Sequence, residues 1–69
     1  MSKVFIVWRH RPYDDLILES VWLKKEAAHN EVKRLESEMG IWEKAAELQY
    51  FFTEEEESEW ALSFIKETL

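Results

Sequence analysis

The chain has no cysteine, one glycine, one proline and two histidines among its 69 residues. Without cysteine there is no disulfide framework, no thiolate metal site and no cysteine nucleophile. One glycine cannot build a glycine-rich loop that cradles phosphate, and His10 and His29 lack the spacing of a metal-ligand pair. No apolar run approaches the roughly 18–20 residues of a membrane helix. The apolar stretch after Met-Ser-Lys is too short for a secretory signal, and no small-residue cleavage site follows it, so a cytoplasmic location is expected. Cations are scarce too. Nine basic residues against fifteen acidic ones give a net charge of −6 and a pI near 4.8.

What is present is bulk. Ten of the residues are aromatic, counting four Trp, two Tyr and four Phe, and each can bury roughly 150–250 Å². A chain this short buries only about 60 % of its unfolded surface, so a single compact α/β domain over residues 1–69 is expected. No repeat, linker or low-complexity segment divides it.

The charge is uneven. Residues 1–35 hold seven bases (Lys3, Arg9, Arg11, Lys24, Lys25, Lys33, Arg34) against five acids, a net of +2. Residues 36–69 hold Lys44 and Lys66 against ten acids, a net of −8. Such a surface repels nucleic acid and lipid headgroups and attracts a basic groove.

Residues 4–8, Val-Phe-Ile-Val-Trp, are β-branched or aromatic without a polar break, which predicts a strand apolar on both faces and central in its sheet. Residues 9–15 read as a loop, with Pro12 and the pair Asp14-Asp15 as turn formers. Residues 16–23 predict a second strand, hairpin-paired to the first. A helix is expected from Lys24 to Met39, with Ala28, Val32, Leu35 and Met39 as its apolar stripe and Gly40 as a left-handed C-cap. Residues 41–47 suit either a short helix or a loop, and residues 48–52 a third strand. Thr53 and Glu56 have capping-box spacing for a last helix over 54–68, with Trp60, Ala61, Phe64, Ile65 and Leu69 on its apolar face and Lys66 in its last turn. The expected class is therefore α+β: a three-stranded antiparallel sheet packed with two or three helices, in the order β-β-α-(α)-β-α. The strand order should be 2-1-3, with Asp14, Asp15 and Glu19 blunting one edge.

The densest chemistry is the run Glu54, Glu55, Glu56, Glu57 and Glu59. On a helix rising 1.5 Å per residue these carboxylates give one charge per roughly 1.8 Å, close to the roughly 1.7 Å per charge of duplex DNA. The same residues are also what a first helical turn favours, because the dipole and the helix propensity of glutamate both welcome them. Glu36, Glu38, Glu43 and Glu47 add to the acidity with only Lys44 nearby. Unbalanced like charge works against compactness, so these nine glutamates are the candidate partner-binding residues.

The remaining features are bland. His10 and His29 read as structural or surface residues, Asp14 with Asp15 is no catalytic pair, and no nucleophile motif occurs, so neither catalysis nor a metal or cofactor is expected. Trp8 and Trp60 are expected in the core. Trp22 and Trp42 fall at element ends, where either could anchor a protein interface. Lys3, Arg9 and Arg11 should balance Asp14, Asp15 and Glu19 within the molecule.

Over the first forty residues, Val-Phe-Ile-Val-Trp, the second strand and Lys-Lys-Glu-Ala-Ala-x-x-Glu-Val-Lys-Arg-Leu resemble small β-β-α-β domains of bacterial and phage proteins. In size, charge and layout the whole chain resembles phage-encoded anti-CRISPR proteins that act on type I Cascade complexes. That resemblance implies a DNA-mimicking inhibitor, active in the bacterial host cytoplasm. It would bind a basic groove of a Cascade subunit through the acidic C-terminal half and block reading of target DNA or its protospacer-adjacent motif. From its charge the chain is expected to bind no nucleic acid or membrane directly, and a monomer is expected rather than a homodimer. The alternative is a small adaptor or structural module that binds a protein partner through Trp22 or Trp42.

Overall fold

The computed structural model describes residues 2–12 and 16–65. Its order is β1 (Lys3–His10), β2 (Ile17–Trp22), α1 (Lys25–Ser37), α2 (Ile41–Ala45), β3 (Gln49–Glu56) and α3 (Glu59–Leu62). The three strands form one antiparallel sheet in the order β2-β1-β3. The α+β class and the central place of β1 are as the sequence predicts. Val4 and Ile6 point to one face of β1 and Val7 to the other, and all three are fully buried. Only a strand covered on both sides needs such a run.

Each face has its own cover. Val4, Ile6 and Val21 pack with Ala61 of α3, flanked by Trp8, Leu18, Leu23 and Ile65. On the opposite face Phe5 meets Phe52 edge-on at 6.3 Å, and His29 of α1 meets the same Phe52 ring at 6.3 Å. The stripe predicted for α1 faces inward, with Ala28 buried and Val32, Leu35 and Met39 half-buried. Between β1 and β2 the register slips at Val7/Trp8, leaving Glu19 as an extra residue in β2. Asp14 and Asp15 lie outside the described residues.

Four local expectations are corrected. Glu54, Glu55 and Glu56 are not a helix start: β3 continues through them, paired with Phe5, Val4 and Lys3. Thr53 is accordingly no cap. Its hydroxyl accepts the Trp8 Nε1–H at 2.8 Å, and Ser58 caps the shorter α3 by accepting from the Ala61 N–H. The predicted residues Lys66, Thr68 and Leu69 lie outside the described residues. Gly40 is not left-handed: with φ −87° it is the N-cap of α2, and the Glu43 carboxylate accepts its N–H at 2.7 Å. The positive φ (59°) belongs to Glu47 instead, at the turn into β3. Strand β1 also reaches further than residues 4–8, so Arg9 and His10 are strand residues rather than loop.

Trp60 is not in the core either. It is exposed, stacked edge-on against Phe64 at 6.5 Å, because α3 is one turn long and only Ala61 turns inward. Trp8 is half-buried, anchored by its bond to Thr53.

Candidate protein-binding surface

Strand geometry re-spaces the carboxylates. A strand rises about 3.3 Å per residue where a helix rises 1.5 Å, so residues 54–57 carry one charge per about 3.3 Å. That is half the linear density expected for a helix. On either face alone the spacing is about 6.6 Å, sparser than the roughly 3.4 Å per charge along one strand of duplex DNA. Side chains alternate across the sheet, so Glu54 and Glu56 share the α1 face with Phe52, while Glu55 lies on the α3 face.

The nine candidate glutamates do not form one patch. β3 runs from Gln49, opposite His10, to Glu56, opposite Lys3. Helix α1 starts just after Trp22, which pairs with Phe5, so its first turn lies at the Glu54 end of the sheet. Its last turn, with Glu36 and Glu38, leads through α2 toward Gln49, taking Glu43 and Glu47 with it. Glu54, Glu55, Glu56, Glu57 and Glu59 thus gather at one end, and the other four lie toward the opposite end. An eight-residue strand spans about 26 Å, well beyond the Debye length of about 10 Å at 0.1 M salt. The two groups therefore act as separate fields.

Their engagement within the molecule differs. Glu38 is held by Arg34 Nη1 at 2.9 Å, and Glu31 takes the same guanidinium at 2.6 Å. The hydrogen bond to Glu31, then its charge and the Glu38 pair, keep Arg34 protonated far above its ordinary range. Glu43 is spent on the Gly40 N–H, and Glu47 sits in the left-handed turn. At the other end Lys3 Nζ meets Glu56 Oε1 at 2.6 Å. That hydrogen bond raises the Lys3 pKa, helped by the charges of Glu56, Glu54 and Glu55. Lys3 therefore balances Glu56 rather than the hairpin acids. Among the described residues, Glu54, Glu55, Glu57 and Glu59 have no ion pair, and all four are exposed.

Arg9 answers Glu19, as expected. Its Nε lies 3.2 Å from Glu19 Oε1, but the N–H is not aimed at that oxygen, which leaves the buried Nε of a half-buried ion pair without a good hydrogen bond. The two tryptophans considered as interface anchors separate cleanly. Trp22 donates its N–H to the buried Ser20 hydroxyl at 2.7 Å and is half-buried. Trp42 is 84 % exposed and its neighbour Ile41 is 80 % exposed. Their one-turn helix hangs on a few backbone bonds, Lys44 N–H to Gly40 and Leu48 N–H to Glu43 among them. Sequence reasoning placed Trp42 at an element end, but its exposure depends on how α2 packs, which no local pattern reveals.

Two surface depressions are open to solvent. One is lined by His10, Pro12, Glu47, Leu48 and Gln49, another by Lys25, Glu26, His29 and Phe52. Neither sets a nucleophile beside a general base. Among the described residues no three His, Asp or Glu side chains converge to hold a metal ion, and no helix is long and apolar enough to cross a membrane. Compared with models of protein families, with curated proteins and with solved structures, the chain matches none.

Proposed function

We propose that this chain is a protein-binding module whose acidic strand end docks on a basic, nucleic-acid-reading surface of a partner and blocks it. In its narrower form it is an anti-CRISPR protein that covers the DNA-reading or motif-reading surface of a type I Cascade complex. The observation that supports this is the exposed row of carboxylates at 54–57, three of which form no ion pair among the described residues. Exposed charge of one sign steers association with a basic groove and makes it salt-sensitive.

Competition for DNA tests the reading. A type I Cascade complex and labelled target duplex are titrated with the protein and followed by mobility shift. The protein should displace the duplex, and the variant Glu54→Lys/Glu55→Lys/Glu57→Lys should lose at least about tenfold in potency with an unchanged far-UV spectrum. Equal potency of the triple variant would sink the acidic-surface reading. Failure of the unaltered chain to displace the duplex removes the Cascade assignment.

A second reading is supported by Trp42 alone. An adaptor that inserts Trp42 and Ile41 into an apolar pocket would lose its partner on Trp42→Ala and keep it in the triple lysine variant.

A further inference from the structure

The sheet has two edges, and they are not alike. β2 is partly covered, because Ile65 lies beside Val21 as a parallel bridge. Along β3, no described residue pairs with the outer edge. The direction of its backbone groups follows from the ladder. Glu57 N–H donates to Ser2 C=O at 3.2 Å, one step beyond the Lys3–Glu56 pairing. In an antiparallel ladder hydrogen-bonded and non-bonded pairs alternate. Residues 49, 51, 53 and 55 therefore face β1, and Tyr50, Phe52, Glu54 and Glu56 turn their N–H and C=O groups outward.

We propose that this outer edge accepts a fourth, antiparallel strand from the partner: an extended segment that is basic where it lies against residues 54–57 and apolar where it lies against residues 50–52. The inference rests on the acidic-surface reading and gives it a binding mode. Main-chain bonds to the four outward residues supply affinity, and the flanking side chains supply selectivity. The sheet already contains the required pairing, since Lys3 on the inner neighbour stands opposite Glu56 and reaches its carboxylate at 2.6 Å. A lysine opposite Glu54 or Glu56 on an outer neighbour shares the carboxylate's face as Lys3 does, in a hydrogen-bonded pair with Cα atoms about 5.5 Å apart where a non-bonded pair such as Lys3 and Glu56 has about 4.5 Å. A second copy of the chain is a poor occupant, because β3 carries no Lys or Arg and each copy brings a net charge of −6. Charges on an edge strand commonly deter edge-to-edge pairing of identical chains. The same carboxylates that deter a copy select a basic strand.

The probe is a labelled eight-residue peptide, Lys-Arg-Lys-Lys-Thr-Val-Tyr-Thr, written to run antiparallel to β3, and binding is read by fluorescence anisotropy. A second peptide of the same sequence is N-methylated at its fourth and sixth residues, which keeps every charge and removes two donors aimed at β3. The full chain should bind the first peptide at least about tenfold more tightly than the second, the loss expected from one or two missing hydrogen bonds. The variants Glu54→Gln and Glu54→Pro lose the same charge, but only proline removes the outward N–H, so it should bind at least about fivefold more weakly than the glutamine variant. Amide exchange at Tyr50, Phe52, Glu54 and Glu56 should slow on binding. Equal binding of both peptides, with equal effects of Gln and Pro, overturns strand addition and leaves the acidic-surface reading standing. No binding of either peptide overturns both. A dimer that Glu54→Pro converts to monomer, with no competition from peptide, makes a second copy the occupant and overturns the inference. If the proline variant does not melt like the glutamine one, the N-methylated peptide, which leaves the protein unaltered, decides.

Discussion

Trp8 and Thr53 show how much one residue can settle in a chain this small. The indole N–H reaches diagonally across the sheet to the threonine hydroxyl at 2.8 Å in a half-buried setting. This bond joins residues 45 positions apart and ties β1 to the middle of β3. Thr53→Val keeps the β-branched shape and leaves the indole N–H without its partner, at a cost of about 1–3 kcal/mol. For a domain of this size 1 kcal/mol lowers the melting temperature by about 4–8 °C. Thermal denaturation should show that drop for Thr53→Val and little change for Thr53→Ser, which retains the acceptor. If valine and serine melt alike, the bond contributes nothing.

At the scale of elements, what could be read in advance was what local pattern determines. The unbroken run of residues 4–8 announced a strand buried on both faces, and the four-three-four spacing of Ala28, Val32, Leu35 and Met39 announced α1. The end of β3 could not be read this way. Glutamates after a threonine favour a helix start by propensity. They became strand because Val4, Phe5 and Lys3, some fifty residues away, offered backbone partners, and such pairing outweighs local preference. That one displacement also respaced the candidate site, since a helix would have gathered the charges that a strand draws out across two faces. Gly40 and Glu47 misled similarly. The glycine looked like the left-handed residue, yet the turn that needs φ of 59° falls at Glu47, after α2. A left-handed conformation costs a non-glycine residue about 1–2 kcal/mol, against about 0.5–1 kcal/mol of extra chain entropy lost by glycine. Glu47→Gly should therefore raise the melting temperature by a few degrees, whereas Glu47→Val should lower it. A lower melting temperature for the glycine variant would mean that the Glu47 side chain stabilises the turn by more than its strain costs.

For the whole molecule, charge acts on folding and on binding with opposite signs. The net −6 is carried by a half of −8, and the acids at the two ends of the sheet have few cations to oppose them. Self-repulsion of that kind opposes the compact state, and it weakens as the Debye length falls from about 30 Å at 0.01 M to about 3 Å at 1 M. Raising sodium chloride from about 0.02 to about 0.5 M should therefore raise the melting temperature. Over the same range the attraction between residues 54–57 and a basic partner is screened, so binding to that partner should weaken by at least about tenfold. The two trends run against each other in one protein, which separates electrostatic docking from a general effect of salt on folding. Docking through Trp42 and Ile41 predicts another pair of trends, in which the melting temperature still climbs but affinity holds, because burial of apolar surface is not screened. Measuring both quantities across one salt series thus distinguishes the acidic edge from the exposed tryptophan: affinity that holds or rises with salt while the fold gains stability would rule out the acidic edge as the docking surface.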